Sequence, residues 1–151
     1  MLQLIGTMRR RFAQGDTYET SDIGTTRQLV DAAKRENVDH FILLSSVGAG
    51  RPVGAYLRAK AQAEAMVLNS GIPFTLVRPS AFDGKERRPP PGLQLFTRAL
   101  GLDRFAPIQV ETLARALVES AAHRAPLNAI LEGRRILDLT TVGTSQNQVS
   151  R

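Results

Sequence analysis

Residues 39–60 read Asp-His-Phe-Ile-Leu-Leu-Ser-Ser-Val-Gly-Ala-Gly-Arg-Pro-Val-Gly-Ala-Tyr-Leu-Arg-Ala-Lys, and the fold is read outward from them. Phe41 to Leu44 is an unbroken apolar run, the pattern of a strand covered on both faces, as in a parallel sheet. It ends at Ser45 and Ser46. A loop rich in Gly and Pro follows to Gly54, and a helical stretch begins near Ala55. Tyr56 and Lys60 are then i and i+4 and share one helical face. A strand that delivers a serine and a helix that delivers a tyrosine and a lysine can do acid–base chemistry on a carbonyl or an alcohol. In that chemistry Tyr56 moves the proton, Lys60 favours the phenolate as a nearby cation, and Ser46 holds the substrate oxygen by a hydrogen bond. Ser45 is the second candidate for this last role. The same letters would equally serve a buried strand ending in a serine cap, followed by an ordinary helix with an exposed Tyr and Lys.

On the amino-terminal side, residues 2–5 read as a short strand with Gly6-Thr7 at its end, where backbone can approach a ligand closely. Arg9, Arg10 and Arg11 form a basic cluster, read as solvated. Ile23, Thr26, Leu29, Val30 and Ala33 recur at helical spacing and predict a helix over 23–36, with Asp22 as its N-cap and Asn37 ending it in a left-handed conformation. This helix leads into the central strand as a β-α-β unit, whose crossover should be right-handed. On the carboxyl side, Ser70-Gly71 stops the Tyr56 helix and residues 73–77 form the next buried strand. Arg78-Pro79-Ser80 lies at the carboxyl end of that strand, on the same edge as Gly6 and Ser46. Three strand ends on one edge place a site there.

Residues 83–92, with three successive prolines, read as a linker, 93–100 as a short helix and 105–108 as an extended segment. Val110, Leu113, Ala114, Leu117, Val118 and Ala121 mark the cleanest amphipathic helix in the chain. A last strand is expected around Arg135 to Leu139. The chain beyond it has little to bury, so the reading is one domain over 1–139 and a disordered tail over 140–151.

The runs "HFILLSSVGA", "YLRAKAQAE", "LVRPS" and "PIQVETLARALV" resemble the short-chain dehydrogenase/reductase superfamily, most closely its atypical NAD(P)H-binding branch with the NmrA-like proteins and the Tat-interacting-protein oxidoreductases. The resemblance spans residues 2–139. It implies an α/β fold, a Rossmann-like parallel sheet with flanking helices. It implies NADP or NAD as cofactor and hydride transfer to a small carbonyl or alcohol substrate. Tyr56 would be the acid, Lys60 would tune it and hold the ribose, and Ser46 would orient the substrate. Gly6 and Thr7 would lie beside the cofactor, and Arg78, Pro79 and Ser80 would pass its nicotinamide end. The ten-residue gap from Ser46 to Tyr56 is shorter than in classical members.

One part of the family pattern is missing. No G-x-x-G-x-x-G loop is present to seat a pyrophosphate on a helix N-terminus; Gly48, Gly50 and Gly54 have another spacing and follow the catalytic strand. By the resemblance, Met1 falls near the fourth strand of a full-length relative, so the first strands and the residue selecting NAD or NADP are lacking. A sheet so shortened is expected to be a fragment, to pair with another chain, or to be a non-catalytic remnant. The rival to an oxidoreductase is therefore an NmrA-like module that senses a dinucleotide or binds a protein without turnover.

Composition narrows the classes. The 151 residues suffice for one domain with a core, at 42% apolar and 23% charged. With no cysteine, disulfides, thiolate zinc and thiol nucleophiles are excluded, and two distant histidines, His40 and His123, make a histidine metal site a poor reading. The net charge of +6 comes from scattered arginines, so nucleic acid is disfavoured as a partner. No apolar run has the length of a membrane span, and a cytoplasmic location is the expectation.

Overall fold

The computed structural model describes residues 1–4, 17–80, 82–83 and 108–146. Gly6 and Thr7, the arginines at 9–11, the linker after Asp83, the helix expected at 93–100 and residues 147–151 lie outside the described residues.

In chain order the elements are β1 (Leu2–Gln3), a π-helical turn (Glu19–Gly24), α1 (Thr25–Arg35), β2 (Phe41–Leu44), α2 (Gly54–Leu68), β3 (Phe74–Arg78), β4 (Phe82–Asp83), β5 (Ile108–Gln109), α3 (Val110–His123), β6 (Ala129–Glu132) and α4 (Arg134–Gln146). Four strands form one parallel sheet in the order β1-β2-β3-β6. β4 and β5 form a separate parallel pair. The register sets Leu44 opposite Val77 and Arg78 opposite Glu132, so β2, β3 and β6 end on a common edge.

The apolar run of β2 explains the layering. Its alternate side chains enter two different cores. Phe41 and Leu43, with Leu76, pack on Val30 and Ala33 of α1 and Ala63 and Val67 of α2. Ile42, with Val77, packs on Leu113, Ala116 and Leu117 of α3 and Ile136 of α4. Phe41, Ile42 and Leu43 are all buried, as a central parallel strand requires. The result is the three-layer, Rossmann-like sheet with flanking helices that the sequence implied.

Three expectations change. Asp22 is not an N-cap. The residues around it continue helically into α1 through the π-helical turn, and Asp22 itself is buried at 1% exposure. The last strand is not at 135–139 but at Ala129–Glu132, where Ala129 to Glu132 pair with Thr75 to Arg78. Gly133, at φ +51°, then breaks the extended chain, and Arg134–Gln146 is helical. That helix buries Ile136 fully in the second core, and its backbone stays helical past residue 139 to Gln146. Asn37, by contrast, ends its helix at φ +50° as expected.

At the opposite end of the sheet, His40 is buried and its Nε2 lies 2.8 Å from Thr75 Oγ1. The Thr75 hydroxyl donates to the Pro126 carbonyl, so its oxygen accepts and Nε2 carries the hydrogen. Burial, the largest influence, lowers the His40 pKa below the ordinary 6.5. The unfolded chain therefore takes up the proton first as pH falls. Stability from this group is complete above about pH 6.5 and is lost as pH drops from there towards the lower folded value. We expect the urea midpoint to fall on acidification through this window, and His40→Gln to flatten that part of the profile; an unchanged slope in the variant would remove His40 from the linkage.

Candidate active site at the carboxyl edge of the sheet

The chain leaves β2 through Ser45 and Ser46, and the backbone stays tied to its neighbour beyond the strand ends. Ser45 N–H donates to the Val77 carbonyl at 2.8 Å and Val47 N–H to the Pro79 carbonyl at 3.0 Å. The Ser45 hydroxyl is buried and meets no partner among the described residues. The Ser46 hydroxyl makes one long contact, 3.4 Å to the Val47 carbonyl. Both serines thus retain hydrogen-bonding capacity at this edge. The loop then folds back onto α2: a Cβ on Gly48 would come within 3.1 Å of Leu57 Cδ1, next to Tyr56.

α2 carries the predicted pair. Tyr56 is 38% exposed, whereas Lys60, one turn on, is 5% exposed. The Lys60 ammonium sits 5.8 Å from the centre of the Tyr56 ring, so the shared face inferred from the i, i+4 spacing is realised. The sequence did not foretell what surrounds the pair. Lys60 Nζ stands 2.8 Å from Asp22 Oδ1, a charge contact without the directed geometry of a hydrogen bond. Tyr18, which precedes the π-helical turn, sets its ring 5.9 Å from that of Tyr56, inclined by 57°.

Arg78 is placed differently from a residue that reaches for a ligand. Its Nε and Nη2 donate to the two oxygens of Glu64 at 2.8 and 2.6 Å, and its Nη1 donates to Glu132 at 2.9 Å. This bidentate fork ties β3 to α2, and the third bond ties it to β6. Glu64 is 3% exposed, and its hydrogen bonds, the largest influence, hold the guanidinium still more firmly in its charged form. The guanidinium also lies under the loop: a Cβ on Gly50 would fall 3.1 Å from Nη1, so only glycine fits without a shift. Pro79 is buried and Ser80 half-buried beyond it, on the same edge.

Sequence reasoning overlooked Glu64, Glu132, Tyr18 and the inward role of Asp22. One signal was available. Glu64 follows Lys60 by four residues within the stripe Ala59, Ala63 and Val67 that faces the sheet. Charged residues in an alanine-lined stripe imply buried partners. Among the described residues no group of His, Asp and Glu could hold a metal, and no helix is long and apolar enough to cross a membrane.

The chain matches the family model described as NAD(P)H-binding over residues 6–124, and it belongs to that family. It is a member of the atypical branch of the short-chain dehydrogenase/reductases, and NAD(P) is its cofactor class. Among curated relatives, protein TIC 62 of the chloroplast of Pisum sativum is 41% identical over 71 residues, covering 41% of this chain and 13% of that protein. An uncharacterised chloroplast protein of Arabidopsis thaliana is 32% identical over 118 residues, covering 64% of this chain and 41% of its own. The chain therefore spans less than half the length of these relatives. Among solved structures, a Bacillus halodurans protein assigned to the NAD-dependent epimerase/dehydratases superposes with a TM-score of 0.68 at 18% identity, over 93% of this chain and 67% of its own. The UDP-glucuronic acid 4-epimerase of Bacillus cereus, solved with NAD, superposes at 0.59 and 19% identity, over 86% of this chain and 52% of its own. These likenesses support the Rossmann-like fold.

The described residues fit one end of such a cofactor. A buried cation near a partly exposed phenol, on the helix that follows the serine-bearing strand end, offers donors that suit a ribose. The sequence holds no glycine-rich loop for the pyrophosphate. Removing Arg78 tests how far this edge depends on it. Arg78→Met leaves Glu64 charged and buried without its partner and is expected to cost about 3–5 kcal/mol in denaturant unfolding. Adding Glu64→Gln should recover part of the loss; a loss below about 1 kcal/mol would show that the clamp contributes little.

Proposed function

We propose that the chain forms the nicotinamide end of an NAD(P)H-dependent oxidoreductase acting on a small carbonyl or alcohol substrate. The observation that supports this reading is the approach of the Lys60 ammonium to 5.8 Å from the Tyr56 ring centre on α2, the helix that follows the loop from Ser45 and Ser46 at the end of β2. When bound, NAD(P)H supplies the hydride. The Tyr56 hydroxyl, reachable from solvent, gives its proton to the carbonyl oxygen in reduction and recovers it in oxidation. Lys60, a cation 5.8 Å from the ring centre, offers N–H donors to a ribose. The Ser46 hydroxyl, or that of Ser45, donates a hydrogen bond that orients the substrate oxygen. The nucleotide-sugar ligands of the epimerase neighbours belong to those proteins, and a small organic substrate is the part of that pattern we carry to this chain.

A second reading has its own observation. Asp22 stands 2.8 Å from the Lys60 ammonium and compensates its charge, so a dinucleotide sensor without turnover would also account for the site. Such a sensor could rely on a second chain to extend the sheet at β1, where Leu2 and Leu4 are 38% and 52% exposed.

Titration with NADPH and with NADH, followed by cofactor fluorescence, separates the readings from a chain that binds neither. In the enzyme reading, wild type shows saturable binding and turns over a carbonyl substrate. Tyr56→Phe then keeps its affinity and loses turnover by about 10²-fold or more. Retained turnover in Tyr56→Phe would remove the tyrosine from the mechanism, and binding without turnover across a carbonyl panel would favour the sensor.

A further inference from the structure

We infer that the cavity between the ends of β3 and β6 and the start of α4 is an oxyanion site, in which Arg134 and Arg135 capture the phosphate or carboxylate group of a small molecule over a floor made by Arg78. The inference does not depend on the Tyr56–Lys60 reading. The cavity measures about 450 Å³ and is lined by Arg78, Ile130, Glu132, Arg134 and Arg135. A space of that size takes a small molecule. Three of the five lining residues are arginines, and Ile130 offers an apolar wall to the carbon part of the ligand.

Local folding brings these groups together. Glu132 ends β6 opposite Arg78. Gly133 breaks the extended chain at φ +51°, so α4 begins at the next residue, with Arg134 and Arg135 as its first two. Both are exposed, and neither forms an ion pair or a side-chain hydrogen bond among the described residues. The charges there do not balance. Glu64 and Glu132 are both engaged by Arg78, so three guanidiniums meet two carboxylates and an excess positive charge remains. The start of a helix also disfavours positive charge, because its first N–H groups already carry it. Two successive arginines at that point break a local preference, and a bound anion supplies the compensation.

The donors suit an oxyanion. The clamp takes three of the five N–H groups of Arg78, one from each nitrogen, and leaves one on Nη1 and one on Nη2. A planar guanidinium matches two oxygens of a phosphate or a carboxylate. The clamp fixes Arg78 beforehand, so only the two exposed arginines must order on binding. Glu64 follows Tyr56 by eight residues on α2, about 12 Å along the axis. The oxyanion is therefore the far end of a substrate that meets Tyr56, or it belongs to a separate small molecule. The chemistry recognised is the same.

The test uses the full chain, labelled with nitrogen-15 and titrated with inorganic phosphate in chloride-poor buffer. Amide shifts at Arg134 and Arg135 are expected to saturate, with a midpoint below about 10 mM. Arg134→Gln combined with Arg135→Gln should weaken binding about tenfold or more, the change that losing a charge-assisted hydrogen bond carries, at an unchanged urea midpoint. Arg35→Gln combined with Arg115→Gln removes the same charge from exposed positions outside the cavity and should bind as wild type does. No saturation in wild type, wild-type affinity in the cavity variant, or an equal loss in the control variant would overturn the site.

Competition assigns the source of the anion. Phosphate that raises the KM for a carbonyl substrate at unchanged kcat marks the cavity as the seat of the substrate's own anion. Phosphate that binds without competing marks a separate ligand. Both results keep the site. A chain without turnover would defeat the oxidoreductase reading, and the phosphate titration would still decide this one.

Discussion

Helix α2 presses two opposite charges into the protein one turn apart, and the rest of the site depends on how they are neutralised. Lys60 and Glu64 lie on the face that also carries Ala59, Ala63 and Val67, and all five are buried. The alanines bring α2 close enough to the sheet to exclude water, which makes an unpaired charge there costly. Each charge is met from a different direction. Asp22 arrives from the π-helical turn and Arg78 from the end of β3, with Glu132 of β6 sharing the guanidinium. The pairing therefore fixes where α2, β3, β6 and the π-helical turn stand relative to one another. Tyr56 inherits its position from that arrangement.

The hydrophobic layers give this polar arrangement its frame. Phe41, Leu43 and Leu76 anchor α1 and α2 on one face of the sheet, and Ile42 and Val77 anchor α3 and α4 on the other. Apolar packing of this kind is non-directional and sets only approximate distances. The charged and hydrogen-bonded contacts are directional, and at the carboxyl edge they tie Arg78 to both α2 and β6. The division of labour is clear at Gly50, where the loop backbone lies so near the Arg78 guanidinium that a Cβ would push the two apart. An edge held this way leaves the Tyr56 ring partly exposed while its ammonium neighbour Lys60 stays buried.

How much of this was legible can be judged residue by residue. The strand at Phe41–Leu44 and the helix from Val110 follow from local patterns, because an apolar run and a 3.6-residue period each have one economical solution. The Tyr56–Lys60 contact follows from helical geometry once α2 is granted. Arg78 was legible as a residue at a strand end but not as a clamp, since Glu132 lies 54 positions away in the chain. Asp22 has the composition of an N-cap, and local preference assigned it that role. Burial against α2 outweighed the preference. At the carboxyl end, the run from Ala129 to Leu139 could serve as strand or helix, and pairing of Ala129 to Glu132 with β3 decided where the strand stops.

Sequence by itself determined the fold class, the parallel central strand and the face shared by Tyr56 and Lys60, because these rest on contacts between residues near in the chain or on burial common to a whole segment. Only the tertiary structure decided what the charged residues do. Lys60 and Arg78 could each have faced a ligand on sequence grounds. Their partners, Asp22, Glu64 and Glu132, lie on the π-helical turn, on α2 itself and on β6. The choice between free cation and buried ion pair is made when those elements pack together and water is withdrawn from the space between them.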